Sequence, residues 1–152
     1  MFRIIRTSVV AIALSGPVAA TAEEKQHQVD IARDVADRGI TRIQERVGSV
    51  LFQQVLLQNV PTEAELRNAD EDDKARPRFA LVLGHTGTVW SKLDLKLQLE
   101  DEAKGVLFSC SVSKVQGPAW NDVVGDACKG RWMYMREWPK VRTVRLVGTI
   151  TD

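Results

Sequence analysis

The clearest hydrophobic pattern lies in the second half of the chain, where apolar and polar residues alternate. Four leucines occupy every second position of residues 93–99, between charged and amide side chains, which predicts a strand with one apolar face. After a turn at residues 101–105, the alternation resumes through residues 106–113 and predicts the second strand of a hairpin. A short helix is expected at residues 119–129 and a last strand at residues 141–150. The apolar face of that helix would be formed by Trp120, Val124 and Cys128.

The first half shows a different spacing, which predicts an amphipathic helix over most of residues 24–58. Its apolar residues recur at steps of three and four: Val29, Ala32, Val35, Ala36, Ile40, Ile43, Val47 and Val50. Gly39 and Gly48 each weaken a helix, and Gly48-Ser49 is the expected break. Residues 50–57 are too apolar to lie in water. Periodicity does not decide whether they form helix or strand, and they either cover the sheet or bind a partner.

The first 22 residues have the features of a secretory signal peptide. Arg3 and Arg6 precede an apolar run, Gly16-Pro17 interrupts it, and Ala20-Thr21-Ala22 supplies small residues for a signal peptidase. A membrane anchor, the alternative, needs roughly 20 apolar residues to cross a bilayer. Because the run is much shorter, we expect cleavage at the end of this segment and a soluble mature protein in the periplasm.

Composition divides the rest into an N-terminal helical segment (residues 23–68), a charged linker (69–77) and a C-terminal domain (78–152). Loss of residues 1–22 would leave 19 of the 21 basic side chains against 20 acidic ones. This near-neutral balance does not favour nucleic acid as a partner. The acidic cluster of the linker lacks the glycine and the final glutamate of a calcium-binding loop, so a solvated hinge is expected there.

Two cysteines, Cys110 and Cys128, remain in the exported chain. An even number of cysteines in such a chain predicts a disulfide, and two buried free thiols are the alternative. A zinc site is not favoured, because zinc ligands usually occur in closely spaced pairs and His27 and His85 are far apart. The bond would tie a strand to the following helix and stabilise the domain by about 3 kcal/mol.

Catalytic motifs are absent from the sequence: it contains no nucleophile elbow, no zinc-protease helix and no phosphate-binding loop. His85 lies in a glycine-flanked loop and could meet Asp94 or Asp122 in space. Because such a contact would allow catalysis, a hydrolase, or an inhibitor of one, is one of three hypotheses for the function. We expect no enzymatic activity, no metal and no small-molecule cofactor.

The glycines and cysteines of the second half resemble a known family. Gly87-Thr-Val89, the strand at 93–99, Gly105 five residues before Cys110 and Gly117 seven residues after it resemble the periplasmic C-terminal domain of TonB-family energy transducers. The two-cysteine variant of that family is most similar. The segment from Cys128 to Pro139 also resembles the family's basic-aromatic segment. The similarity covers residues 77–150, and the chain departs from the pattern with Val115-Gln116 before Gly117 and Trp120-Asn121 at the helix start.

The resemblance implies an α+β fold, with a small antiparallel sheet of two to three strands and one packed helix, preceded here by the amphipathic N-terminal helix. It also implies that an extended peptide adds to an open sheet edge. By analogy the last strand is that edge, and its candidate binding residues are Arg142, Val144, Arg145 and Leu146. Its cations either attract an acidic peptide or guard the edge against aggregation.

A second candidate surface is the aromatic-basic cluster, formed by Arg131, Trp132, Tyr134, Arg136 and Trp138. Aromatic residues and arginine are enriched at interface hot spots, whereas the alternative is that these aromatics close the core. The leading hypothesis is thus a periplasmic, non-enzymatic interaction module whose partner is a protein, with a TonB-dependent outer-membrane receptor as a candidate. The alternative is a structural or regulatory envelope protein that forms a homodimer through its N-terminal helix.

Mass spectrometry of the exported protein tests the two covalent predictions together. We expect a mature chain that begins at Glu23 and gains the mass of two thiol hydrogens on reduction. An intact N-terminus would contradict the signal peptide, and two alkylatable thiols in the unreduced protein would contradict the disulfide.

Overall fold

The computed structural model describes residues 23–36, 39–118, 120–125 and 127–152, and the proposed signal peptide lies outside them. The described part of the chain is 57% strand and 10% helix, and it contains no helix of seven residues or more. The strands are β1 (Gln26–Asp34), β2 (Ile40–Val47), β3 (Val50–Gln58), β4 (Lys74–Ala75), β5 (Arg78–His85), β6 (Ser91–Glu100), β7 (Val106–Gln116), β8 (Asn121–Val124), β9 (Met133–Tyr134) and β10 (Thr143–Thr151). Helix α1 spans Glu63–Asn68, and a 3₁₀ helix spans Met135–Lys140.

Two four-stranded antiparallel sheets form a β-sandwich. Sheet A has the strand order β1-β10-β6-β7 and sheet B the order β2-β3-β5-β8, while β4 and β9 form a separate pair. The inward side chains of both sheets belong to one hydrophobic cluster. Phe79 of sheet B stacks on Phe108 of sheet A with ring centroids 5.8 Å apart. Each sheet therefore buries its apolar face against the other.

The strand pairings fix which loops lie together. At one end of the sandwich, Val50 pairs with His85, Ser91 with Gln116, and Gly84 with Asn121. The loops β2–β3, β5–β6 and β7–β8 therefore meet at this end. The opposite end carries α1, β4, β9 and the 3₁₀ helix.

The expected α+β fold with an amphipathic N-terminal helix is wrong, because residues 26–58 form three strands. The buried side chains follow a period of two: Val29 and Ile31 face the core, whereas Ala32, which belonged to the predicted helical stripe, is exposed. β-branched residues favour strands, and a three-residue step places two side chains on opposite faces of a strand, so the predicted stripe could not stay on one face. Burial between the two sheets decided between the two periods.

Gly48-Ser49, the expected break of the helix, is instead the turn of a β-hairpin. Val47 pairs with Val50, so Gly48 and Ser49 form a two-residue turn, and Gly48 has φ of +56°. A glycine at the first central position with positive φ is typical of hairpin turns. The apolar segment that followed is β3, which lies between β2 and β5 and is covered on both edges. The interpretation of residues 50–57 as a partner-binding helix is therefore wrong.

The later predictions were correct for one hairpin and wrong for one helix. β6 and β7 pair antiparallel through the turn at residues 101–105, as the alternation predicted. The expected helix at 119–129 is instead β8 followed by a turn, and Trp120, which was assigned to its apolar face, is 67% exposed. The proposed boundary between residues 23–68 and 78–152 is not visible in the packing, since strands from both parts share the core.

The charged segment 69–77 is folded back onto the rest of the protein. Lys74 pairs with Tyr134 and Ala75 with Met133, which joins β4 to β9. Helix α1 before it begins with a capping box in which Thr62 and Glu65 bond reciprocally. No described helix is long and apolar enough to span a membrane.

The predicted disulfide between Cys110 and Cys128 is present. Cys110 lies on the inward face of β7, as expected, but Cys128 lies in the turn after β8 rather than on a helix. Ala127 of that turn donates its N–H to the carbonyl of Phe79 in β5. The bond therefore fastens a segment that continues sheet B to the terminal strand of sheet A.

Replacement of both cysteines by serine should lower the free energy of unfolding by about 3 kcal/mol, because the link closes a loop of 18 residues in the unfolded chain. Urea denaturation of the double variant measures the loss, and the reduced wild-type protein should match it. Equal stability of the oxidised and reduced proteins would contradict a stabilising link.

Candidate binding surface

Two exposed tryptophans lie at the end of the sandwich where the β2–β3, β5–β6 and β7–β8 loops meet. Trp90, just before β6, is 66% exposed, and Trp120, just before β8, is 67% exposed. Val89 beside Trp90 is also exposed. Large aromatic side chains are usually covered in small domains. We call the surface formed by Val89, Trp90, Gly117 and Trp120 the tryptophan end.

Trp90 is in contact with the backbone on one side. A methyl group on Gly117 would lie 2.9 Å from the ring atoms Cη2 and Cζ3 of Trp90, so the six-membered ring of the indole lies against the glycine. Gly117 is buried although it lies in a loop. The six-membered ring therefore packs on the backbone, while most of the side chain remains exposed to solvent.

Trp120 is anchored through its backbone. Its carbonyl accepts the N–H of His85 at 2.9 Å and the side-chain amide of Gln116 at 3.4 Å. The following residue, Asn121, accepts a hydrogen bond from the Gln53 amide at 3.2 Å. These bonds tie the β7–β8 loop to both sheets.

A series of hydrogen-bonded polar side chains lies beneath this surface. We call it the His85–Asp152 network. His85 Nε2 is 2.8 Å from the Ser91 hydroxyl, and that hydroxyl donates to Asp152 Oδ1. The other oxygen of Asp152 accepts the Ser49 N–H at 3.0 Å and lies 3.2 Å from His27 Nε2. The network thus joins sheet A, through Ser91 and His27, to the β2–β3 turn and β5 of sheet B.

The hydrogen bonds of His85 fix its tautomer. The Gly87 N–H donates to Nδ1 at 3.1 Å, so Nδ1 carries no proton and Nε2 donates to Ser91. A serine nucleophile needs a ring nitrogen that accepts its proton. Here the serine instead donates to Asp152, and Ser91 is fully buried. The trio is arranged as a structural network and not as a nucleophile with its base.

Asp152 is charged within a partly buried site. Burial alone raises the pKa of its carboxyl, but hydrogen bonds from Ser91 and Ser49 and the nearby His27 outweigh burial and bring the pKa below its ordinary value. No group of three or more metal-ligating side chains occurs in the described part of the chain.

The strand predicted to be an open edge lies inside sheet A. β10 pairs with β1 on one side and β6 on the other, so the edge prediction is wrong. Val144 and Leu146 face the core. The Arg145 guanidinium bonds both oxygens of Asp30 at 2.7 Å, and this contact lowers the pKa of Asp30. Arg142 donates to the carbonyls of Pro139 and Val141.

The aromatic-basic cluster is divided by the fold. Trp138 in the 3₁₀ helix is buried and closes the core, whereas Arg131 and Trp132 are exposed. Tyr134 lies between the cations of Lys74 and Arg136, at 4.8 and 4.9 Å from its ring centroid. Arg136 also pairs with Glu71 at 2.9 Å. These contacts belong to the end opposite the tryptophan end and hold the folded-back segment in place.

The terminal strands of the sandwich are tied in pairs across its two sides. Lys114 of β7 bonds Asp122 of β8 at 2.5 Å, on the side that the disulfide also closes. On the other side, Arg33 of β1 bonds Glu45 of β2 at 2.7 Å, next to a bulge in β2. Bulges, charges and covering loops are the usual protections of edge strands. The terminal strands are therefore less open to peptide addition than an unprotected sheet edge would be.

Sequence reasoning missed most of this surface. Trp90 stands outside the leucine alternation, between a loop and a strand, which is the one local signal for an exposed aromatic residue. Trp120 was assigned to a helix face. Ser91 and Asp152 are 61 residues apart, and no local pattern connects them.

Comparison with protein-family models, with curated proteins and with solved structures found no match. The likeness to the TonB family is therefore a resemblance of sequence motifs, and the fold that it implied is not the fold observed. The function has to be argued from the geometry of the chain itself.

Replacement of Asp152 by asparagine should destabilise the protein by about 2 kcal/mol at neutral pH, because charge-assisted hydrogen bonds are lost. Since the folded state lowers the pKa of this carboxyl, its contribution is present above the ordinary value of 3.8 and disappears as the pH falls through the folded value. Urea unfolding at neutral and acidic pH measures both effects. The exposed Asp72→Asn variant is the control; an equal effect of the two substitutions would contradict the network.

Proposed function

We propose that this protein is a non-catalytic binding module of an oxidising compartment outside the cytoplasm, and that it engages a protein partner through the tryptophan end. The observation that carries the proposal is the exposure of Trp90 and Trp120, at 66% and 67%, on two loops of the same end. Both indoles would be expected to reach the core if they served packing alone.

The chemistry of this end fits a protein interface. Tryptophan is among the residues most enriched at interface hot spots, because one side chain covers a large apolar area and still donates a hydrogen bond. Val89 extends the apolar area beside Trp90. Exposed apolar surface of this kind is commonly a site of association.

The rigidity of the end supports binding as well. The ring of Trp90 packs on Gly117, and the carbonyl of Trp120 is bonded twice. Side chains and loops that are already ordered lose little entropy on association. A partner therefore meets a surface that is formed in advance.

The charges near the surface favour a partner without strong charge. Lys92 is paired with Asp94 at 3.0 Å, and Lys114 is paired with Asp122. The whole chain has a formal net charge of +1. Nucleic-acid binding normally requires a basic surface, so this balance supports a protein partner.

The compartment and the lack of catalysis are supported by separate observations. The disulfide is compatible with an oxidising environment, which agrees with the signal peptide expected from residues 1–22. The buried Ser91, which donates its proton to Asp152, supports a structural use of the serine–histidine contact. The outer-membrane receptor implied by the sequence resemblance is one candidate partner.

Substitution of both exposed tryptophans tests the proposal. Capture of binding partners from an envelope extract should recover the same protein with the wild type and with Trp132→Ala, but not with the Trp90→Ala, Trp120→Ala double variant. Trp132 is a matched control, since it is 60% exposed at the opposite end. With the purified partner, loss of one hot-spot indole should cost about 2 kcal/mol, or roughly thirtyfold in Kd.

The thermal stability of the double variant should stay close to that of the wild type, because exposed side chains contribute little to the core. Undiminished capture by the double variant, or equal loss with Trp132→Ala, would contradict the proposed surface. Light scattering of the wild type distinguishes a second copy of the chain from a different partner.

A further inference from the structure

We propose that His85 is a positioning residue for the loop that carries Trp90, and that protonation of its ring releases this loop. His85, at the end of β5, is buried beneath the tryptophan end and bonds the loop at Gly87, three residues before Trp90. Only the consequence for partner binding rests on the proposed function; the loop movement itself does not.

The geometry assigns every hydrogen of the neutral ring. Nδ1 accepts the N–H of Gly87 at 3.1 Å, while Nε2 donates to Ser91, which donates in turn to Asp152. A protonated imidazole carries a hydrogen on both nitrogens and accepts no hydrogen bond. The Nδ1 hydrogen would then face the N–H of Gly87, donor against donor.

The other contacts of the ring survive protonation. Nε2 continues to donate to Ser91, and the carboxylate of Asp152 remains the acceptor at the end of the chain. The conflict is therefore confined to Gly87. Because His85 is only 5% exposed, water cannot readily replace the lost partner of its Nδ1.

The β5–β6 loop can respond without disturbing the sheets. Thr86 is tethered, since its N–H and hydroxyl both bond the Ser49 carbonyl at 2.8 and 3.3 Å. Ser91 begins the regular pairing of β6 with β7. The residues between them, 87–90, form no ladder and include both Val89 and Trp90.

Gly87 fits tightly where it lies. A methyl group at this position would collide with the Ser49 side chain and lie 3.1 Å from Cε1 of His85. A small displacement of the Gly87 backbone therefore changes the position of the loop as a whole. The indole of Trp90 would lose its packing on Gly117 as the loop moves.

The titratable groups around His85 are few. Asp152 lies beyond Ser91, and His27 lies beyond Asp152 at 3.2 Å. On the neighbouring strands, Lys114 is paired with Asp122 and Lys92 with Asp94. Protonation of His27 would strengthen its contact with Asp152, whereas protonation of His85 would break the contact with Gly87. The two histidines thus act in opposite directions and can be separated by mutation.

Nuclear magnetic resonance of the isolated ¹⁵N-labelled protein tests the response of the loop to protonation of His85 without any partner. At neutral pH the ring ¹⁵N shifts should report the tautomer protonated on Nε2, and the Gly87 amide should show a hydrogen-bonded shift. When the pH is lowered until the ring ¹⁵N shifts report a doubly protonated His85, the Gly87 amide and the Trp90 indole should change together with the ring. Solvent exchange of the Trp90 indole should rise several-fold in the acidic form.

His85→Asn is the diagnostic variant, because the asparagine Oδ1 can accept the Gly87 N–H but does not titrate. Its Gly87 and Trp90 signals should be insensitive to pH, whereas His27→Asn should keep the wild-type response. A neutral ring protonated on Nδ1 would overturn the proposal, and this measurement needs no variant. Protonation of His85 with unchanged Gly87 and Trp90 signals would also overturn it.

Capture of the partner at different pH values then tests whether movement of the β5–β6 loop affects binding. Wild-type capture should fall over the pH interval in which the ring ¹⁵N shifts show His85 to become protonated, and capture by His85→Asn should not. If the loop responds to pH but the partner does not depend on Trp90, the positioning role stands and the proposed function fails. If partner binding requires Trp90 but the loop is insensitive to pH, the proposed function stands and the positioning role of His85 fails.

Discussion

The structure depends on the burial of one apolar face of each sheet against the other. β6 carries four leucines on its inner face and charged or amide side chains on its outer face, so it can be stable only where one side is covered. Sheet B supplies that cover through Phe52, Phe79, Leu81 and Leu83. Burial of each such side chain contributes about 1.5 to 3 kcal/mol, which no local preference of the chain can match. The pairing order and the loops at each end follow from this contact.

A sandwich with two sheets has two open sides, and this one closes them by different means. The disulfide and the Lys114–Asp122 pair lie on one side, and the Arg33–Glu45 pair lies on the other. Closure of the sides leaves the ends as the places where loops can present side chains. One end is filled by the folded-back segment that holds Trp138 in the core. The other end presents two indoles to solvent.

The tryptophan end combines an apolar surface with a polar support. The His85–Asp152 network connects both sheets beneath the loops and satisfies the buried polar groups of His85 and Ser91. Its hydrogen bonds form one directed chain, from the imidazole through the serine to the carboxylate. Such a network is rigid while every member is bonded, and it is sensitive to a change at a single proton. The proposed binding role and the proposed pH response share this physical basis.

The sequence alone determined the features that depend on near neighbours: the leucine strand, its hairpin partner, the turn between them and the pairing of two cysteines. Local spacing favoured a helix in residues 24–58, since the apolar residues fitted a helical stripe and Gly48-Ser49 was interpreted only as its break. Only the tertiary structure decided that β10 is an interior strand, that Trp120 faces solvent, and that Ser91 meets Asp152. These outcomes depend on which distant segments share a core, and burial between sheets outweighs the weak preferences that neighbouring residues express.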